Sequence, residues 1–305
     1  MANVSTALSL PKELITDIFS KVKGHSSLAA LCGQTPIPFS GAQIMTFSMD
    51  GEAELVGEGG QKSPGGAAWG SVTITPVKFV YQHRVTDEFV RMNDEKRLPY
   101  LQAFGDGFAA KIARALDIAA MHGVNPATGN SADAISTKSF DYLVSGTQTY
   151  DATAADDNLQ DAVAAIQEAD GVVTGIAMAP AFGSALAQIK VNGVRQYPEF
   201  LFGANPGTFY GMNVDINNTI PFGSSEDRAI VGDFRNAFKW GYSADIPMEI
   251  IQYGDPDGQG DLKRKNQVVL RAEAYLGWGI LDASSFQRIV SGAEGATGAT
   301  GSTGG

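Results

Sequence analysis

Two glycine-rich turns carry the residues best placed to do chemistry. The first reads Gly57-Glu58-Gly59-Gly60-Gln61-Lys62-Ser63-Pro64-Gly65-Gly66. A lysine among glycines could cradle a phosphate, with backbone N–H groups and an ammonium on its oxygens. That chemistry needs Gly, four residues, then Gly-Lys-Ser/Thr. Counted from Gly57, the second glycine falls on Lys62, so the pattern fails, and Gly-x-Gly-x-x-Gly fails at the same residue. The turn also leads into a strand-like stretch, whereas a phosphate cradle needs a helix N-terminus behind it. The second turn, Asp255-Pro256-Asp257-Gly258-Gln259-Gly260, resembles the start of a calcium loop. Its fifth position should be Asp or Asn and is Gln259; its twelfth should be Glu and is Asn266. A polar hairpin turn accounts for it.

The remaining reactive residues are dispersed. His25, His83 and His122 form no ligand-spaced pair, and Cys32 stands alone. Neither a Gly-x-Ser-x-Gly elbow nor a His-Glu-x-x-His helix occurs. The sequence therefore points to no cofactor, no metal and no catalytic residue.

Composition narrows the classes further. The chain has 305 residues, a net charge of −11 and 36 glycines. An excess of acid argues against a nucleic-acid coat, which needs Lys and Arg on phosphates. No apolar run reaches the ~18 residues of a membrane span, and Lys12 and Glu13 interrupt any secretion signal. A hydrophobic share of 44% supports a folded core. A soluble, acidic, turn-rich protein of a reducing cytoplasm is expected.

The elements that must position these turns follow from periodicity. Leu14, Ile15, Ile18, Phe19 and Val22 share a helical face over residues 4–23, which reads as an arm. Residues 43–90 read as a long two-stranded hairpin whose tip is the first glycine-rich turn. Two-stranded hairpins are marginal alone, so this one packs on its own chain or on a neighbour. Residues 99–122 read as a long helix, with Pro99 in the first turn and Leu101, Phe104, Phe108, Ile112, Leu116 and Ala119 on one face. Lys111, Arg114 and Asp117 are assigned to the opposite face. A second unit from about Tyr150 alternates helices and strands: Thr153 and Asp156 suggest a capping box. Pro180 opens a helix stopped by Asn192-Gly193, and strands follow over 208–216, 229–234, 237–242 and 247–253. A long strand covers 262–281. From Gly292 glycine recurs at every third position, which reads as a flexible tail.

In this order the features resemble the major capsid proteins of tailed bacteriophages, the family with the HK97 fold. The stretches that carry the resemblance are Ala53-Glu54-Leu55-Val56-Gly57-Glu58-Gly59 leading to Val72–Lys78, then Val85–Val90, the helix at 99–122, Ala179-Pro180, Thr208–Val214, Ile230–Phe234 and Asn266–Glu273. It covers about residues 10–290. It implies an α+β protein with an N-terminal arm (1–42), an extended β-hairpin loop (43–90), a peripheral domain with a long spine helix (91–150), an inserted axial domain (151–254), a return into the peripheral domain (255–290) and a flexible tail (291–305).

The function implied is self-assembly as pentamers and hexamers into an icosahedral shell around phage DNA, with the protein found in the virion capsid after assembly in the host cytoplasm. Glu58, Gly59, Lys62 and Trp69 of the extended loop would meet a neighbouring subunit. A separate scaffolding protein, a portal and a decoration protein would be partners; DNA would be enclosed without specific binding, and no membrane is involved. In the type member a loop lysine forms an isopeptide bond with a neighbour's asparagine, helped by a glutamate. The resemblance places Lys62, Asn266 and Glu273 in those roles; the alternative is ordinary polar contacts, since many members do not cross-link. An encapsulin-type compartment shell and an α/β metabolic enzyme are the competing readings.

Overall fold

The computed structural model describes residues 26–51, 53–223, 225–243 and 248–291. The expected arm helix and the Gly-x-y tail from residue 292 lie outside the described residues. The chain divides into two units, and among the described residues the first holds 33–112 and 238–281, the second 26–32, 113–237 and 282–291. The sequence drew its corresponding limits at 150, 254 and 290. The limit moves from 254 to 237 because two strands beyond residue 237 hydrogen-bond to the long strand of the first unit.

The elements, in chain order, are α1 (Ser27–Leu31), β1 (Ala42–Asp50), β2 (Gly66–Ile74), β3 (Val77–Thr86), α2 (Glu88–Arg91), α3 (Asp94–His122), α4 (Phe140–Leu143) and β4 (Thr147–Thr149). There follow α5 (Ala155–Glu168), β5 (Gly175–Met178), α6 (Pro180–Gln188), β6 (Lys190–Val191), β7 (Val194–Arg195), β8 (Thr208–Phe209) and β9 (Met212–Ile216). The last are β10 (Asp227–Gly232), β11 (Phe238–Tyr242), β12 (Met248–Ile251), β13 (Gln267–Ile280) and β14 (Phe286–Val290).

In the first unit β13 is the axis. It pairs antiparallel with β3 along one edge and with β12 and β11 along the other. Backbone groups on both of its edges are therefore paired over much of its length, and a 14-residue strand can be buried at Val268, Val269, Leu270, Ala272, Ala274 and Leu276. The part of the hairpin that follows the glycine-rich turn, expected as one strand, is two. It breaks at Thr75-Pro76, where Pro76 has no N–H for a ladder. β2 returns on β1, with Phe47 opposite Trp69, whereas β3 crosses to β13. The hairpin thus ends at Ile74 and not at residue 90.

Helix α3 starts five residues before the expected first turn. The Asn93 carbonyl accepts from the N–H groups of Lys96 and Arg97, and Glu95 supplies acid near the positive end of the helix. Pro99 therefore sits inside the helix and removes one internal hydrogen bond. Leu101, Phe104, Phe108 and Ile112 are buried, and Phe104 meets the rings of Tyr81 and His83 on β3. Asp117, assigned to the outer face, is fully buried.

The second unit is built on a mixed six-stranded sheet in the order β4-β14-β10-β5-β9-β8. Leu159 and Ile166 of α5, Phe182 and Leu186 of α6, and Ile176, Val214, Val231 and Ile289 of the strands form one buried cluster. The rings of Phe140, Phe234 and Phe286 form another contact set, with centroids 5.0–6.1 Å apart. Two local expectations are corrected. Thr153 and Asp156 make no capping box: the Thr153 hydroxyl and N–H donate to Asp151, and α5 begins without a side-chain cap. Asn192-Gly193, with φ of 52° and 81°, turns the β6–β7 hairpin and does not end α6, which stops at Gln188.

Candidate assembly surface

The β1–β2 hairpin presents an unusual face. Period-two alternation puts Met45, Phe47 and Met49 of β1 on one side, and the register adds Trp69 of β2 to the same side. These side chains are 51–75% exposed. Phe47 and Trp69 pack on each other, ring centroids 4.7 Å apart. An apolar stripe of this kind on a two-stranded ribbon is a candidate interaction surface, because soluble chains rarely leave contiguous apolar patches bare.

The opposite side anchors the hairpin. Ile74 is 1% exposed and lies against β13, where a Cβ on Gly277 would come within 2.9 Å of its Cγ2. Glycine at that position lets the hairpin base approach the sheet. Beyond the strands, the N–H of Ser63 donates to Glu54 Oε2 at 3.0 Å, which closes the loop and holds the Glu54 carboxyl below its usual range.

The residues singled out in the sequence distribute as follows. Glu58, Gly59 and Lys62 are all exposed in the loop between β1 and β2, and Trp69 is exposed on β2. Asn266 is exposed just before β13 in the left-handed region, φ 51°. Glu273 lies seven residues further along and accepts from Lys78 Nζ at 2.7 Å. At roughly 3.3 Å per strand residue the two are on the order of 20 Å apart. Their pairing with β3 is regular, without a bulge that would shorten the path. One chain therefore does not bring Glu273 to Asn266.

The Asp255–Gly260 turn is filled by an arginine. Arg84 of β3 donates through Nε to both oxygens of Asp257, through Nη2 to Asp257, to Asp255 at 3.2 Å and to the Gly260 carbonyl at 2.8 Å. The Arg84 bond holds the Asp257 carboxyl down to about 2. These acids serve a salt bridge that ties the turn to β3.

Sequence reasoning missed two buried polar groups in the second unit. Asp117 receives Ser26 Oγ at 2.6 Å, the Ser27 and Leu28 N–H groups at 2.9 and 3.2 Å, and Thr219 Oγ1 at 2.9 Å. It caps α1 from a distant helix, and burial pushes its carboxyl up to about 6. The other group joins His122, Asp141, Asp227 and Arg288. His122 Nδ1 lies 2.9 Å from Asp141 Oδ2, and Arg288 Nη2 lies 2.9 Å from Asp141 Oδ1 and 2.8 Å from Asp227 Oδ1. No local spacing announces either: Asp117 is 89 to 102 positions from the residues that donate to it, and the members of the second group are 19 to 166 positions apart.

No helix among the described residues is long and apolar enough to cross a membrane. The family model described as "Phage capsid family" matches residues 7–291. A solved chain from Mycobacterium phage Ogopogo is 30% identical, with 88% of this chain and 92% of that chain covered and a TM-score of 0.76. One from Gordonia phage Cozz is 24% identical, covering 88% and 87%, with a TM-score of 0.73. A chain described as "Capsid of native GTA particle computed with C5 symmetry" is 13% identical over 96% and 95%, with a TM-score of 0.60. No curated protein matches the chain.

Proposed function

Since the chain belongs to the phage capsid family, and is thus a structural capsid component of the virion and not an enzyme, we propose that it closes an icosahedral shell as pentamers and hexamers. The extended hairpin lies across a neighbouring subunit in that shell. The single observation that carries this is the stripe Met45, Phe47, Met49 and Trp69, exposed on a hairpin whose other side is anchored at Ile74. A second copy supplies the apolar cover that the ribbon lacks at home, and closed symmetry prevents open-ended association. The five-fold symmetry of the GTA particle supports pentamers among its assemblies. The metabolic-enzyme reading is set aside by the family match, which likewise favours a phage shell over an encapsulin compartment.

The first unit corresponds in this reading to the peripheral domain and extended loop, and the second to the axial domain. Scaffolding, portal and decoration proteins are the further partners it calls for. A net charge of −11 suits a wall that encloses DNA without binding it.

Deleting residues 57–66 tests the proposal. The hairpin tip is exposed throughout, so the variant should fold and fail to form shells in negative-stain micrographs. Normal shells from the deletion variant would overturn the inter-subunit role of the hairpin.

A further inference from the structure

The His122–Asp141–Asp227–Arg288 cluster has no part in the hairpin surface, and its geometry dictates a proton count. His122 Nε2 faces the Thr219 carbonyl at 2.9 Å, so this nitrogen carries a hydrogen. His122 Nδ1 faces Asp141 Oδ2 at 2.9 Å. A bare ring nitrogen and a carboxylate oxygen are both acceptors and cannot share that distance without a proton between them. The ring is 3% exposed, so water cannot fill in.

Asp227 sets the second condition. It is completely buried, and its Oδ1 accepts from Arg288 Nε at 3.0 Å and is paired with Nη2 at 2.8 Å. Its Oδ2 is buried with no hydrogen-bond partner among the described residues. A bare, desolvated carboxylate oxygen is costly, and a proton on it removes the charge. One arginine also serves two aspartates, since its Nη2 is paired with Asp141 as well and its Nη1 donates to the Asp141 carbonyl. If His122 gives up its proton with both aspartates ionised, the buried cluster is left with two negative charges against one positive.

We propose that this cluster is a proton-operated clasp, which fastens the C-terminal end of α3 and the helix α4 to strands β10 and β14 while His122 and Asp227 are protonated and loosens as these protons leave. The elements packed around it contribute His122 from α3, Asp141 from α4, Asp227 from β10 and Arg288 from β14. Asp117 on α3 reaches the same Thr219 through its hydroxyl, and Phe222 adds an uncharged ring beside His122. The ligand-type atoms of His122, Asp141 and Asp227 lie within 4.8 Å of one another, a spacing that would suit a divalent cation. The guanidinium of Arg288 already supplies the positive charge between the two carboxylates, which favours the proton.

The titration shifts agree in sign. Burial, the largest single influence, works against a charged His122, but the bond to Asp141, its charge, the Thr219 carbonyl and the Asp227 charge together raise the pKa above the ordinary value. Burial, followed by the Asp141 charge, pushes Asp227 up to about 7. Burial also works to raise Asp141, yet the His122 bond and charge, Asp227 and the Arg288 charge together lower it. For His122 and Asp227 alike the folded value exceeds the unfolded one. Folding takes up protons, and the stability gained is lost as pH rises through about 7.

The test is thermal unfolding of the full chain from about pH 5.5 to about pH 8.5, for wild type and Asp227→Asn. Asparagine is a neutral isostere of the protonated acid. The wild type should lose melting temperature as pH rises, and D227N should lose about half as much or less. Asp117 titrates with the same sign but remains in D227N, so only the part that disappears belongs to the clasp. Equal pH slopes in the two proteins would overturn the proposal. Should D227N fail to fold, magic-angle-spinning NMR of [15N]histidine-labelled wild type reads the ring directly, with His25→Gln and His83→Gln identifying the other two signals. An imidazolium at His122 at about pH 7 supports the clasp, and a neutral ring there overturns it. A zinc- or manganese-dependent rise in melting temperature that D227N abolishes would also overturn it, in favour of a metal.

Discussion

The Thr35 carbonyl oxygen lies where a side chain on Gly241 would begin: a Cβ built there would overlap it. The contact arises because residues 34–37 run beside β11, with Thr35 N–H donating to the Trp240 carbonyl at 2.8 Å and Ile37 N–H to that of Tyr242 at 3.2 Å. Backbone meets backbone, so nothing can swing aside. Gly241→Ala should displace 34–37 from the sheet edge and cost about 1–3 kcal/mol, as overpacking does. Urea denaturation measures it, and a midpoint equal to wild type would contradict the close approach.

Trp69 is 70% exposed and touches Phe47. Trp69→Ser should therefore leave the melting temperature of the unassembled chain nearly unchanged, within about 0.5 kcal/mol in stability. Assembly should suffer. Sedimentation of the variant is expected to show a shift from shells to small oligomers, and an unchanged shell fraction would remove Trp69 from the interface.

Glu273 is engaged by Lys78 and lies on the order of 20 Å along β13 from Asn266. We expect no isopeptide bond through Lys62. A denaturing gel of mature particles should show one band near 32.1 kDa. A ladder that Lys62→Arg abolishes would show that a neighbouring subunit supplies what one chain does not.

Asp117→Asn should weaken the tie between α3 and α1. The amide oxygen can replace one carboxylate oxygen, but the NH2 group faces donors where an acceptor is needed. The cost should be about 1–3 kcal/mol at neutral pH. The pH profile should change as well. Burial lifts the folded value to about 6 against the ordinary 3.8, so the wild type gains stability as pH falls between those values and D117N does not. Thermal melts at several pH values check both effects.

Arg84→Gln should release the turn at 255–260. Asp257 is held down to about 2 by Arg84, so its contribution to stability is present above the ordinary carboxylate value of 3.8 and fades as pH falls towards 2. The variant should melt lower at neutral pH and converge with wild type in acid. Limited proteolysis at neutral pH should cut this turn faster in the variant; equal cutting rates would argue against the tie.

Local pattern was legible where local forces decide. The apolar spacing of Leu101, Phe104, Phe108 and Ile112 marked the long helix, because one face must be buried whatever lies opposite. The glycines of 57–66 marked the loop, and the hairpin reading from residue 43 marked β1, because turn chemistry and strand period are properties of a few consecutive residues. The order of such segments also sufficed for the resemblance that the family match upheld.

Pairing partners were not legible, since they join residues far apart in the chain. Nothing in Val77–Thr86 says that it hydrogen-bonds to β13 and does not continue the hairpin. The apolar pattern of α3 does not say that Asp117 is buried, because four donors from residues 26–28 and 219 make burial of that carboxylate tolerable. Three dispersed histidines gave no hint that one would meet two aspartates and an arginine. Sequence alone determined the main elements, the acidic charge and the alternation that puts Met45, Phe47 and Met49 on one side of the hairpin. Only tertiary structure decided which charges face each other in the core, because a buried charge persists only where distant segments converge to satisfy it.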